Sequence, residues 1–348
     1  MTAGPQDNRT LTQRVKKGVA TAVRSTPRGF RERVAGLVVP AEERRAAGIG
    51  EAELIERASK IPFETWEQHG WHLTPNHFYS VIPDTRELPA SLWEKESTLP
   101  GIDMRDEQQL AFLTEAAERF GPELAAIPRT QEDADGGYFV DNHAFESVDA
   151  EVLYSLIRMN KPRRVLEIGS GWSTLLSMSA LAANRADGAP GELTAIEPYP
   201  HAFVRDAVEA EPHSEMLDEQ VQGLPRELFS SLEENDILFI DSSHVLRIGS
   251  DVQYEFLEIL PRLKPGVLVH VHDIFLPGEY PKDWVYGDEH RFWNEQYLLQ
   301  AFLIDNAHAD VVWGSSYMHR RHPEDLEKAL PSYDRTTRFP GSFWFRRA

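Results

Sequence analysis

Short apolar runs alternate with amphipathic stretches from about residue 151 onward. Buried parallel strands give continuous apolar runs, and helices between them carry apolar residues at intervals of three and four. This alternation predicts an α/β fold in which helices cover both faces of a mainly parallel sheet. The predicted strands are residues 164–168, 193–196, 220–222, 237–240, 267–271, 310–313 and 342–345.

Apolar residues repeat at helical spacing in five segments. The clearest is 105–120, where they share one face, and the following Gly121-Pro122 is typical of a helix end. The other four predicted helices separate predicted strands, as the alternating pattern requires. They lie near residues 174–183, 201–209, 251–260 and 292–305.

The first 135 residues follow a different pattern. Residues 1–45 contain ten Lys or Arg against four Asp or Glu, in a chain whose formal net charge is −20. This basic leader is predicted to be flexible, although its apolar residues recur every four positions. It could contact an anionic membrane surface or an acidic partner. Residues 46–135 are rich in Pro and Trp and predict a helical and irregular extension before the α/β domain at 136–348.

Composition excludes several classes of protein. The acidic body of the chain argues against binding to nucleic acid. The absence of cysteine excludes disulfides, thiolate nucleophiles and Cys-ligated zinc. No apolar run approaches the length of a transmembrane segment, and the N-terminus lacks the apolar core of a secretory signal. A cytoplasmic protein is therefore expected.

A glycine-rich turn, Glu167-Ile168-Gly169-Ser170-Gly171-Trp172-Ser173-Thr174, follows the first predicted strand. Such a turn between a strand and a helix lets the backbone approach a ligand and presents free N–H groups to it. A dinucleotide fingerprint requires a third glycine, where this chain has Thr174. Glu167 would repel a phosphate but could receive the ammonium of an amino acid.

The second predicted strand also ends in an acid, Glu197. In doubly wound sheets an acid at this place accepts hydrogen bonds from ribose hydroxyls. That role suits either NAD or S-adenosylmethionine, so the residue alone does not choose between them.

Four residues, called the acid–histidine cluster below, follow the fourth and fifth predicted strands. Asp241 and His244 come after the fourth strand, and His272 and Asp273 after the fifth. The carboxyl ends of parallel strands meet at one edge of a sheet, so these side chains should converge there. His270 lies farther inside the strand and is expected to be a core residue.

These motifs resemble a known family. The pattern Glu-x-Gly-x-Gly at 167–171 resembles motif I of the class I S-adenosylmethionine-dependent methyltransferases. The acid–histidine cluster resembles the metal site of catechol and macrolide-sugar O-methyltransferases. Segments 138–142, 274–277 and 291–297 are similar to uncharacterised bacterial methyltransferases of the FkbM and macrocin-like kind. The resemblance implies a doubly wound, Rossmann-like, seven-stranded sheet with an antiparallel C-terminal strand.

The resemblance also implies how S-adenosylmethionine binds. Glu167 would lie near the amine of the donor, Glu197 would hold its ribose, and Asp241 would lie beside it. The methionine portion would contact the turn residues Gly169, Ser170, Gly171, Ser173 and Thr174.

The chemistry implied by the resemblance is methyl transfer to a hydroxyl. A divalent ion, Mg²⁺ or Mn²⁺, would be held by Asp241, His272 and Asp273, with His272 where relatives have an acid. His244 would be the base that removes the hydroxyl proton. The implied acceptor is a small molecule or carbohydrate with a vicinal diol, covered by the loop at 277–290.

Other functions fit parts of the sequence. An NAD-dependent oxidoreductase could use Glu197, but Thr174 and Glu167 disfavour it. A metal-dependent hydrolase could be built on the acid–histidine cluster without any nucleotide. A non-catalytic binding module would not need the glycine-rich turn and His244 together. A homo-oligomer is compatible with all of these functions.

Overall fold

The structure, a computed structural model, describes residues 51–288 and 290–348. The basic leader predicted at 1–45, with its apolar stripe, lies outside the described residues. Within the described ranges, no helix has both the length and the apolar composition needed to cross a bilayer.

The chain divides into two compact units, with the division between Asp84 and Thr85. In the first unit the described residues form two helices, α1 (Glu51–Ser59) and α2 (Phe63–Glu67), and then continue without helix or strand. Trp66 is the buried side chain of α2.

The second unit is built on a seven-stranded sheet. The strand order is β3-β2-β1-β4-β5-β7-β6, and β1 to β5 are parallel. The last strand, β7, runs antiparallel to both β5 and β6. This topology confirms the predicted doubly wound sheet and its antiparallel C-terminal strand. The strands are β1 (Arg164–Ile168), β2 (Glu192–Ile196), β3 (Ser214–Leu217), β4 (Ile237–Ile240), β5 (Leu268–Val271), β6 (Ala309–Gly314) and β7 (Phe343–Arg347).

Helices connect and cover the strands of this unit. One of them, α8, continues through a π-helical turn, Glu255–Ile259, and a 3₁₀ turn, Leu260–Arg262. The helices are α3 (Asp106–Ala125), α4 (Asp149–Asn160), α5 (Trp172–Ala186), α6 (Ala202–Ala210), α7 (Arg226–Ser230), α8 (Asp251–Tyr254), α9 (Lys282–Tyr286), α10 (Glu295–Leu303), α11 (Ser315–Arg321) and α12 (Pro323–Ala329).

Two apolar layers enclose the sheet, because successive side chains of a strand point to opposite faces. Val165 of β1 packs in the layer that contains Leu153 of α4. The next residue, Leu166, packs in the layer that contains Val252 of α8 and Leu299 of α10. Burial on both faces explains why the central strands read as continuous apolar runs.

The third strand is placed differently from the prediction. Residues 220–222 were predicted as a strand, but β3 is Ser214–Leu217 and Val221–Gly223 forms a 3₁₀ turn. β3 is an edge strand that pairs only with β2, and its side chains are partly exposed. It therefore needs no apolar run, and its sequence carries no strong strand pattern.

Helix α3 also extends beyond its predicted end at Gly121-Pro122 and stops at Ala125. Proline in a helix removes one backbone hydrogen bond. Phe120 and Leu124 are nevertheless buried in the apolar layer that also contains side chains of the strands, so packing holds the last turn in place.

A buried arginine joins three helices on this side of the sheet. Arg158 of α4 donates from Nε to Glu123 Oε2 of α3 at 2.8 Å. It also donates to Asn184 Oδ1 of α5 at 2.5 Å and to Asp187 Oδ2, just after α5, at 2.8 Å. The planar guanidinium satisfies all three partners at once.

Candidate functional site

The candidate site lies where β1, β2, β4 and β5 end. These parallel strands finish at one edge of the sheet, and backbone hydrogen bonds tie their ends together. Gly169 N–H donates to Ile196 O at 3.0 Å, and Asp241 N–H donates to Ile168 O at 2.8 Å. The chain reverses its strand order between β1 and β4, where ligands bind in doubly wound sheets.

The two glycines of the turn after β1 have different surroundings. Gly169 has φ +90°, and a Cβ added there would lie 2.1 Å from the carbonyl oxygen of Asp241. Gly171 is extended, and an added Cβ would meet no heavy atom within 4 Å. Gly171 N–H donates to Thr174 Oγ1 at 2.9 Å, which begins α5. The turn is therefore closely packed at Gly169 and open at Gly171.

Glu167 lies under this turn and is almost completely buried. Its Oε1 accepts a hydrogen bond from Ser173 Oγ at 2.5 Å. Burial raises the pKa of Glu167 to about 8, although the hydroxyls of Ser173 and Thr174 oppose the shift. Glu167 Oε2 and Ser170 Oγ are buried and have no hydrogen-bond partner. These two polar atoms, together with the open space at Gly171, fit a polar donor such as the amino-acid end of S-adenosylmethionine.

Glu197 follows β2 and is half-buried. Its Oε1 accepts a hydrogen bond from Tyr199 N–H at 2.7 Å. The rings of Trp172 in α5 and Phe203 in α6 lie 4.7 Å apart. The acid predicted to hold a ribose is partly accessible.

His244 forms the centre of the acid–histidine cluster. Its Nε2 lies 3.2 Å from Asp241 Oδ1 and 3.6 Å from Asp273 Oδ2. Donor atoms of these three residues all lie within 4.8 Å of one another, a spacing that could hold a metal ion. His244 is 5% exposed and has φ +60°.

The charges in the cluster depend on one another. Burial would raise the pKa of Asp241, but the positive charges of His272 and His244 outweigh it and lower the pKa to about 2. Burial would lower the pKa of His244, but hydrogen bonds to Asp241 and Glu295 raise it well above the usual value. The cluster therefore favours an ionised Asp241 beside a protonated His244.

Glu295 was missed by sequence reasoning. It is the first residue of α10, its side chain is fully buried, and its Oε2 lies 2.9 Å from His244 Nδ1. Trp293, two residues earlier, places its ring 4.3 Å from the His244 ring. The one signal in the sequence was an acid within the aromatic stretch 292–297.

The two histidines in and just after β5, His270 and His272, occupy different environments. His272 is buried, and its Nε2 lies 3.9 Å from Asp273 Oδ1, but it does not belong to the three-residue group within 4.8 Å. The sequence assigned metal ligation to Asp241, His272 and Asp273, whereas the structure brings His244 closest to the two carboxylates. His270 is fully buried, stacks on Phe239 at 3.7 Å and bonds to Ser342, as expected for a core residue.

A cavity of about 690 Å³ adjoins the cluster and includes Asp273 and His272 in its wall. Residues 279–284 of the predicted covering loop also line it. Lys282 and Trp93 both line the cavity, and Lys282 Nζ lies 5.5 Å from the centre of the Trp93 ring. Five large aromatic side chains line the cavity: Trp93, Phe275, Tyr280, Trp284 and Phe339.

Comparison with known proteins identifies the central part of the chain. Residues 166–274 match the sequence profile of a family described as a methyltransferase domain. An uncharacterized protein of Archaeoglobus fulgidus is 34% identical over 172 residues, which cover 47% of this chain and 75% of that protein.

Three solved structures match the chain at low identity and with low TM-scores. CalS11, a TDP-rhamnose 3′-O-methyltransferase of calicheamicin biosynthesis, is 14% identical with a TM-score of 0.37, covering 67% of this chain and 93% of that one. The CMeT domain of the citrinin polyketide synthase is 14% identical with a TM-score of 0.37, covering 70% and 67%. CmcI is 13% identical with a TM-score of 0.34, covering 84% and 98%.

The matched residues begin in β1, include the glycine-rich turn, and end just after β5. They thus contain both strand ends that carry the acid–histidine cluster. Neither the NAD-dependent oxidoreductase nor the metal-dependent hydrolase finds support in these matches. The chain belongs to the class I S-adenosylmethionine-dependent methyltransferases.

Proposed function

We propose that this methyltransferase methylates a hydroxyl of a small molecule or sugar and that His244 is the base. The observation that carries the proposal is the position of His244 Nε2 between Asp241 and Asp273, 3.2 and 3.6 Å away. Asp273 also lines the aromatic cavity, so an acceptor in that cavity can reach the cluster.

The glycine-rich turn is the proposed binding site for the methionine portion of S-adenosylmethionine. Glu167 and Ser170 offer unpartnered oxygens there, and Glu197 offers a half-buried carboxylate to the ribose. Asp241 completes the pocket, and the remaining contacts come from Gly169, Gly171, Ser173 and Thr174. The bound donor supplies an electrophilic methyl group on a positively charged sulfur.

The aromatic cavity is the proposed acceptor site. Aromatic faces suit both the apolar face of a sugar ring and a catechol ring. Alignment of the acceptor oxygen accounts for much of the rate in a direct displacement, because the reacting atoms are held in place before reaction. Trp93, Tyr280 and Trp284 are the side chains placed to provide that alignment.

His244 must be neutral when it takes the hydroxyl proton. Asp241 and Glu295 favour its protonated form in the free protein, which the raised pKa expresses. Asp241 and Asp273 stabilise that proton less when they face positive charge from a bound donor or cation. Ligand binding therefore prepares His244 to act as a base.

A divalent ion is also part of the proposal. Two carboxylates with an imidazole suit Mg²⁺ or Mn²⁺. Asp241 and Asp273 would hold the ion, and His272, which lies outside the group within 4.8 Å, would have to move towards it for His244 to stay free as the base. A cation there would orient an acceptor hydroxyl and lower its pKa.

The test is transfer of a labelled methyl group from S-adenosylmethionine to catechol and to methyl α-mannoside, with products identified by mass spectrometry. His244→Ala should lower kcat about 100-fold or more. Its affinity for S-adenosylhomocysteine, measured by calorimetry, should stay within about twofold. His213→Gln, an exposed change at the opposite edge of the sheet, should behave as wild type. A His244→Ala variant with the wild-type rate would refute the assignment of the base.

The same assay tests the metal. Dialysis against a chelator should abolish turnover, and Mg²⁺ or Mn²⁺ should restore it. If turnover survives chelation while His244→Ala remains inactive, the base stands and the metal is excluded.

A further inference from the structure

We propose that Glu295 is a positioning residue that holds the His244 ring with Nε2 directed at Asp241 and Asp273. The inference rests on the proposed role of His244 and adds a residue that neither the glycine-rich turn nor the predicted cluster contains. Its central contact is the 2.9 Å distance between Glu295 Oε2 and His244 Nδ1.

That contact fixes the orientation of the His244 ring. A hydrogen bond at Nδ1 restricts rotation of the imidazole about its bond to Cβ. Nε2 then lies on the side of the ring that faces Asp241 and Asp273. A ring without this contact could turn away from the two carboxylates, and that change removes the base.

Glu295 is itself held firmly against His244. The backbone N–H groups of Asn294 and Glu295 both donate to the carbonyl oxygen of His244, at 3.2 and 3.3 Å. Asn294 Oδ1 accepts from Leu246 N–H at 2.6 Å. The segment after β4 is therefore tied to the start of α10, and the Trp293 ring packs on the imidazole.

Burial of the Glu295 carboxylate lowers the stability of the fold, so a role in the site would explain why an acid lies there. Both Glu295 and Glu255 are fully buried, and each has one carboxylate oxygen without a partner. Burying an acid is unfavourable, and burying two near each other more so. Glu255 bonds to Ser242 Oγ at 3.1 Å, whereas Glu295 bonds to His244. Only the second acid touches the proposed base.

The experiment compares Glu295→Gln with Glu255→Gln, two isosteric changes of buried acids in one region. Glu295→Gln should lower kcat about 10–100-fold with little change in KM for either substrate, the usual cost of losing a partner that orients a histidine. Glu295→Asp keeps the charge with a shorter arm and should recover part of the loss. Glu255→Gln should remain within about twofold of wild type.

The second readout needs no acceptor. In protein labelled with ¹⁵N-histidine, the His244 Nδ1–H should give a downfield, slowly exchanging proton resonance, identified by its loss in His244→Ala. It should disappear or shift in Glu295→Gln and persist in Glu255→Gln. An unchanged resonance in Glu295→Gln overturns the proposal, as does a wild-type kcat in that variant. If Glu295→Gln fails to fold, Glu295→Asp decides by the same two measurements.

The two proposals fail in different ways. If no hydroxyl acceptor is methylated, the proposed function is wrong, while the resonance still reports whether Glu295 holds the ring. If methyl transfer depends on His244 but not on Glu295, the function stands and the positioning role is rejected.

Discussion

Two glycines at the end of β1 show how single residues divide structural and binding roles. Gly169 is required by the backbone, since φ is +90° and an added Cβ would overlap the Asp241 carbonyl. Gly171 adopts an extended conformation open to any residue, and its surroundings are empty. A requirement for glycine at position 171 would therefore come from a ligand.

Substitution by alanine should separate these roles. Gly169→Ala should lose about 2 kcal/mol or more of unfolding free energy through backbone strain and overlap. Gly171→Ala should unfold within about 0.5 kcal/mol of wild type. It should bind S-adenosylhomocysteine about 10-fold more weakly, which corresponds to about 1.4 kcal/mol. Denaturation and calorimetry measure both quantities. Wild-type affinity in Gly171→Ala would mean that the donor does not contact the turn there.

Glu167 makes stability depend on pH. Its folded pKa of about 8 lies above the ordinary value of 4.5, so the folded protein keeps a proton that the unfolded chain releases. The contribution of Glu167 to the unfolding free energy is fully present below pH 4.5 and is lost as the pH rises towards 8.

Glu167→Gln should remove that dependence. Between pH 5 and pH 8, wild type should lose more unfolding free energy than the variant, by about 1 kcal/mol or more. Urea denaturation at the two pH values measures the difference. Glu192→Gln, an exposed change on β2, should follow wild type. Equal losses in wild type and Glu167→Gln would contradict a buried, protonated Glu167.

At the scale of elements, Arg158 fixes α4 against α3 and α5. Its side chain is 8% exposed, and its guanidinium bonds to Glu123, Asn184 and Asp187. Methionine can replace its volume but none of its hydrogen bonds, which leaves the partner groups of two helices unsatisfied.

Arg158→Met should lower the unfolding free energy by about 3 kcal/mol. Arg119→Met is the control, because Arg119 is an exposed residue of α3 paired with Glu115. It should cost no more than about 0.5 kcal/mol. Chemical denaturation measures both, and similar losses in the two variants would show that the buried network adds nothing.

Elements buried on both sides were the ones that the sequence predicted well. β1 and β4 match their predicted bounds, because both faces of these strands must be apolar. β3 was misplaced because it lies at an edge and is half-exposed. The end of α3 was misjudged because tertiary packing of Leu124 outweighs the local effect of Pro122.

The candidate site was predicted only where its residues end strands. Asp241 and Asp273 follow β4 and β5, so parallel geometry alone brings them to one edge. Glu295 begins a helix 51 positions after His244, and no local pattern links the two. His244 lies closer to the two carboxylates than His272 does. This difference depends on the direction of each side chain, which the spacing of residues along the strands does not specify.

At the scale of the whole molecule, we propose that residues 85–348 form one folding unit. The sequence placed a boundary at 135, where composition changes. Yet Leu113, Phe120 and Leu124 of α3 lie in the apolar layer that also contains strand residues. Both layers and all seven strands lie after residue 84.

A chain of residues 85–348 should therefore unfold cooperatively and bind S-adenosylhomocysteine within about threefold of the full chain. A chain of residues 136–348 lacks α3, uncovers part of one apolar layer and should be markedly less stable. Circular dichroism on heating and calorimetry measure the two properties. A non-cooperative transition for 85–348, or equal stability of the two chains, would contradict the proposed unit.

The place of β7 determines the order in which the sheet can be completed. It is the last strand along the chain, Phe343–Arg347, yet it pairs with β5 on one side and with β6 on the other. While the nascent chain emerges from the ribosome, β5 and β6 leave first, with the strand that joins them still to come. Their unpaired edges can meanwhile associate with other chains. Synthesis thus creates an interval in which the half of the sheet that ends in His272 and Asp273 is incompletely paired.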